Sequence, residues 1–103
     1  MYNEIIELGK GAVVENATAD QMYSYTFREV FAEVRSVSQS EFYNAAQSGF
    51  KPAFKFVLAD YYDYDDDDTV RYEGVLYHII RTFRSGMQLE IMAEKKIEGR
   101  ENG

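Results

Sequence analysis

The sequence predicts a mainly β domain, a small antiparallel β-barrel carrying one short helix. Three observations predict it. Aromatic residues reach 16%, with nine Tyr, seven Phe and no Trp, and flat rings pack well on pleated surfaces. Several runs alternate apolar and polar residues with a period of two, the mark of half-buried strands. A single stretch near the middle of the chain has helical spacing and a helix-start signal. The 103 residues fit one domain, 1–103, and leave no room for a second. A sheet of short strands has to close or be covered to hide its edges, which favours a barrel. A domain of this size also leaves little space for a ligand cavity.

The elements follow in order. Asn3 to Leu8 (NEIIEL) is short and apolar-centred and reads as a first strand. Gly9 to Gln21 contains Gly9, Gly11, Asn16 and Asp20 without periodicity, so it reads as a loop. From Tyr23 the period becomes two, and Val30, Ala32 and Val34 alternate with Glu29, Phe31, Glu33 and Arg35. Ser38-Gln39-Ser40-Glu41 fits a capping box. Phe42, Ala45 and Ala46 follow at helical spacing, and Gly49 suits a left-handed cap, which gives a helix over roughly 39–48. A helix that short is marginal alone and is expected to lean on something. Ala53 to Ala59 resumes as a strand with Pro52 at its start. Glu73-Gly74 is a hairpin turn between Thr69–Tyr72 and Val75–Arg81, and Ser85-Gly86 leads into Met87–Glu94, where Met87, Leu89, Ile91 and Ala93 alternate with polar residues apart from Met92. Lys95 to Gly103 is a polar tail, expected to fray.

The net charge of −7 is local. Asp60, Asp63, Asp65, Asp66, Asp67 and Asp68 bring six negative charges together, and the other 12 acidic residues nearly balance the 11 basic ones. A near-neutral domain with one acidic loop disfavours sequence-general DNA binding, which needs clustered Lys and Arg. Without cysteine, disulfides, Cys-based zinc sites and thiol nucleophiles are excluded. MYNEIIELGK lacks a basic and then apolar leader pattern, and no apolar run is long enough to span a bilayer, so neither secretion nor a membrane is expected. The Asn16-Ala17-Thr18 sequon reads as chance.

No nucleotide, metalloprotease or esterase motif is present, and Gly9-Lys10-Gly11 lacks the rest of a phosphate loop. His78 shares a face with Leu76 and Ile80 and reads as a packed or rim histidine, since no Ser or Cys partner can be proposed for it. Read as an EF-hand from Asp63, the acidic run puts Asp68 where Gly is needed and Gly74 where Glu is needed. The aspartates read as a solvated loop of equal exposure, whereas paired-carboxylate catalysis needs two unlike environments. No catalytic residue, cofactor or resident metal is expected. Tyr61, Tyr62 and Tyr64 either stand exposed at an interface or cap the end of the barrel.

Two stretches resemble a known family. Val30-Phe31-Ala32-Glu33-Val34-Arg35-Ser36-Val37-Ser38, followed by Glu41-Phe42-Tyr43-Asn44-Ala45-Ala46-Gln47, looks like a strand of the V-W-A-x-V kind leading into S-x-x-E-F-x-x-A. Thr69 to Ile80 resembles the family's second half, a strand, a Gly hairpin and a Y-x-I strand. The family is the head–tail adaptor or head-completion (stopper) proteins of long-tailed bacteriophages and prophages. The likeness covers roughly residues 4–97, with Phe31 where Trp is frequent and a heavier Asp run. It implies a small β-barrel with a helix and long mobile loops, and a virion neck subunit made in the host cytoplasm. Such proteins assemble as a homo-oligomeric ring, are sometimes monomeric when free, and sit between a portal or adaptor protein and tail or tail-terminator proteins. Packaged DNA passes through without sequence-specific binding. The segment between the second and third strands, about Ser38 to Pro52, implies partner contacts at Ser38, Glu41, Phe42, Tyr43, Ala46 and Phe50. The loop aspartates Asp60, Asp63, Asp65, Asp66, Asp67 and Asp68 then face the channel or an adjacent ring. The alternatives are a tail-completion or tail-terminator component, or a cellular acidic β-barrel that binds a small ligand or cation.

Overall fold

In the computed structural model, residues 2–15 and 21–96 are described. The strands are β1 (Glu4–Glu15), β2 (Gln21–Ser36), β3 (Pro52–Leu58), β4 (Thr69–Tyr72), β5 (Val75–Ser85) and β6 (Gln88–Lys95), with α1 (Gln39–Ala46) between β2 and β3. All pairings are antiparallel, and the order β1-β2-β3-β6-β5-β4 closes because β4 pairs back onto β1. The expected barrel and single helix are therefore both present.

Inward positions follow the alternation. Ile6, Leu8, Ala32, Phe56, Leu58, Val70, Tyr77, Leu89, Ile91 and Ala93 form the buried core, with Val30 and Val34 packed against it. Phe54, Phe56, Tyr72 and Tyr77 fill one part of the interior, their ring centroids 5.6–5.9 Å apart and mostly edge-to-face. Met87, expected on the apolar face, is exposed in the β5–β6 turn, and the outward Met92 is buried instead. His78 and Leu76 point outward, while Val75 and Ile79 pack on the core with Tyr77. A bulge between Ile79 and Arg81 resets the register of β5. In the β4–β5 turn Glu73 and Gly74 both have positive φ (+52° and +79°), as a primed two-residue hairpin requires.

The stretch after Gly9 corrects the expected loop. β1 runs on to Glu15 and pairs with β2 throughout, from Glu4 opposite Ala32 to Glu15 opposite Gln21. Gly9 does not break this strand. A Cβ there would lie 2.5 Å from the Phe27 ring and 2.9 Å from the Thr26 carbonyl oxygen, so Gly9 is where that ring lies on bare backbone. β1 meets β4 only over Glu7–Gly9, and β2 meets β3 only from Glu33 onward. Beyond Gly9, residues 10–15 of β1 pair only with residues 21–26 of β2, a two-stranded arm consistent with dimensions of 46 × 30 × 22 Å. The sequon and most of the expected frayed tail lie outside the described residues, although Lys95 still belongs to β6.

Candidate functional site

The residues singled out by sequence fall into two regions, α1 with its flanks and the acidic loop. At α1 the capping box forms. The Ser38 Oγ accepts from the Glu41 amide at 3.2 Å, and the Ser38 amide donates to Glu41 Oε1 at 2.9 Å. Glu41 Oε2 also accepts from Lys55 Nζ of β3 at 3.0 Å. The Ser38 amide and then the Lys55 ammonium hold the Glu41 carboxyl down to about 2. Lys55 and Arg35 both lie near Glu90, and Arg35 also pairs with Glu33, so a charge network covers the outer face of β2, β3 and β6 beside the helix. Gly49, with φ +87°, ends the segment, and the Phe50 amide returns to the Ala45 carbonyl.

The helix buries none of its residues. The expectation that it leans on the barrel is corrected in kind: it is tied by the capping box and the Glu41–Lys55 pair rather than by an apolar face. Tyr43 is 60% exposed, Phe42 38% exposed, and their rings meet edge-on at 6.5 Å. Ala46 is exposed and Phe50 half-buried. Ser38, Glu41, Phe42, Tyr43, Ala46 and Phe50 thus belong to one continuous outer segment.

The acidic loop corrects the expectation of equal exposure. The Asp67 side chain is fully buried and receives Arg28 through Nη1 at 3.0 Å and Nη2 at 2.8 Å, with the Asp65 amide at 3.1 Å. Burial raises its pKa, but the hydrogen bonds from Arg28 and Asp65 outweigh this, and the net direction is down. Arg28 Nη2 also donates to the Asp63 carbonyl at 2.6 Å. Asp65 pairs with Lys10 at 3.1 Å. Asp68 accepts from Thr69 Oγ1 at 2.7 Å and from the Gly11 amide at 3.3 Å. Its own amide donates to the Gly9 carbonyl. Asp60 caps a single 3-10 turn, Tyr61–Asp63, by accepting from the Tyr62 amide at 2.9 Å. Asp63 and Asp66 are exposed.

The three tyrosines divide between the two readings. Tyr61 and Tyr64 pack on the core and close the end of the barrel, and the Tyr64 hydroxyl donates to the Asp67 carbonyl at 3.0 Å. Tyr62 is 76% exposed. Sequence reasoning passed over Arg28, although the signal was present. It shares the inward face of Val30, Ala32 and Val34, and a charge at such a position calls for a buried partner.

Among the described residues, no group of three or more His, Asp or Glu side chains is arranged to hold a metal ion. No helix among them is long and apolar enough to cross a membrane. His78 lines a depression of about 290 Å³ with Tyr25, Asp68 and Lys96, where Lys96 Nζ donates to the Tyr25 hydroxyl at 2.8 Å. No protein-family model matches the chain, and no curated protein matches it significantly.

Proposed function

We propose that the protein is a structural subunit of the bacteriophage neck, a head-completion or stopper ring component that joins the DNA-filled head to the tail. The observation that carries this reading is α1. A helix that has no fully buried residue and presents Tyr43, with Phe42 partly exposed beside it, contributes little apolar burial to its own domain, and such aromatic surface suits contact with another protein. The resemblance of Val30–Gln47 and Thr69–Ile80 to the head-completion family supplies the kind of partner: a portal or adaptor ring on one side and tail proteins on the other. The acidic loop at the closed end of the barrel suits the wall of a ring channel for DNA, because exposed carboxylates repel phosphates rather than grip them. Catalysis forms no part of this reading.

The test is to image particles from a phage or prophage lacking this protein. Full heads without tails, or heads that have lost their DNA, are the expected result. Intact heads bearing tails would overturn the reading. Capture of tail tubes but not of the portal or its adaptor by the purified protein would assign it to tail completion.

A further inference from the structure

A trough runs between α1 and the outer face of β5 and β6, and one arginine stands in it without a partner. Ala45, Phe50, Ile80 and Met92 line its apolar part, a depression of about 210 Å³, with Arg81 at the rim. Arg81 and Met92 also line the adjoining depression, where Phe83 is exposed. The carboxylates of that second depression, Glu41 and Glu90, are already engaged by Lys55. Arg28, Arg35 and Arg71 are paired with carboxylates, and Arg84 is held by the Gly86 carbonyl and the Tyr61 ring. Among the described residues Arg81 alone of the arginines has neither an ion pair nor a hydrogen bond. An unpaired guanidinium beside an apolar trough suits an aromatic ring followed by a carboxylate.

The same chain presents that combination elsewhere. Tyr62 is the most exposed large apolar side chain of the described residues, with one edge on the Tyr61 ring, and the exposed Asp63 carboxylate beside it makes no ion pair or hydrogen bond among them, only a longer-range attraction to Arg28. The turn that carries them is fixed to its own barrel. The Tyr61 amide donates to the Met87 carbonyl at 2.8 Å, and the Arg84 guanidinium lies 3.5 Å above the Tyr61 ring. Tyr62 and Asp63 are therefore offered outward. We propose that the Arg81 trough of one subunit receives Tyr62 and Asp63 of a second copy of this chain. Such a contact joins two different patches, so its repetition closes a ring or extends a filament. The inference rests on the ring reading above and names the residues of its subunit contact.

The chain has no cysteine, so single cysteines report the contact cleanly. Ala59→Cys, exposed three residues before Tyr62, and Ser48→Cys, on the trough wall, are mixed as concentrated purified protein and treated with a short bis-maleimide. A mixed adduct between the two variants is expected. Adding Arg81→Glu to the Ser48→Cys chain should lower its yield about tenfold, the effect of losing roughly 1.4 kcal/mol of contact. Adding Asp63→Arg to the other chain should then restore it. Thermal melts of both charge variants are expected to match the parent. No adduct, or an adduct indifferent to Arg81→Glu, overturns the proposal. Failure here with tailless particles in the deletion would leave the neck reading standing, and the reverse pattern would leave the subunit contact standing.

Discussion

The acidic loop and helix α1 differ in the opposite sense to their compositions. The loop carries six aspartates and would be taken for a free, hydrated appendage, yet Asp67 is 3% exposed and the loop seals one end of the barrel. The helix carries aromatics at helical spacing and would be taken for a packed element, yet it buries no residue. Composition describes the average partner of a residue. The actual partner depends on which strand end the closed barrel brings near. Arg28 lies on an inward position where the loop crosses the barrel mouth, so a buried aspartate is matched there. α1 has no fully buried residue, and Tyr43 stays mostly exposed with Phe42 partly so.

The contrast can be broken first at Arg28. Arg28→Ala leaves the Asp67 carboxylate without its cation, and because Arg28 itself is half-exposed the expected loss in urea unfolding is about 2–3 kcal/mol, below that of a fully buried pair. Replacing both by apolar residues, as in Arg28→Met with Asp67→Leu, should recover much of this. A loss under about 1 kcal/mol for Arg28→Ala alone would mean that the loop is not anchored there. Gly9→Ala comes next, because its methyl would collide with the Phe27 ring and the Thr26 carbonyl. Overpacking of this kind costs about 1–3 kcal/mol. On the helix side, Ser38→Ala removes the cap and should cost about 1 kcal/mol at most, since the helix holds up little else.

Acid sharpens the same comparison. Glu41 and Asp67 both titrate below their ordinary values when folded. Their stabilisation is therefore complete above the unfolded-state pKa and is lost as pH falls through the folded one. For Glu41 that window runs from 4.5 down to about 2. The thermal midpoint should hold from neutrality to about pH 5 and fall below it. Glu41→Gln should lower the midpoint at neutral pH and flatten part of the acid slope, and Asp67→Asn should act in the same direction.

Much of the fold was legible in the residues. Val30, Ala32 and Val34 give the inward face of β2, Ser38 and Glu41 the helix start, and Glu73-Gly74 the hairpin. The extent of β1 was not legible, because Gly9 and Gly11 read as breakers when no partner is in view. Its continuation depends on pairing with β2 and on Phe27, 18 residues away, lying over Gly9. The burial of Asp67 was hidden for a similar reason, since its cation is 39 residues distant. The helix carrying Phe42 and Tyr43 could be located by its capping box and helical spacing, but only the structure shows how far those side chains stand out, Tyr43 more than Phe42. Arg81 gave no signal, because an unpaired charge is recognised only when all the paired ones are known.

The most direct test of the account is the double substitution Phe42→Asp and Tyr43→Asp, followed by a urea midpoint and by particle imaging. A folded protein that loses no more than about 1 kcal/mol relative to the parent, together with full heads that fail to acquire tails, is the predicted result. Loss of the folded state would place both side chains in the core, and normal tailed particles would show that the helix is not the docking surface.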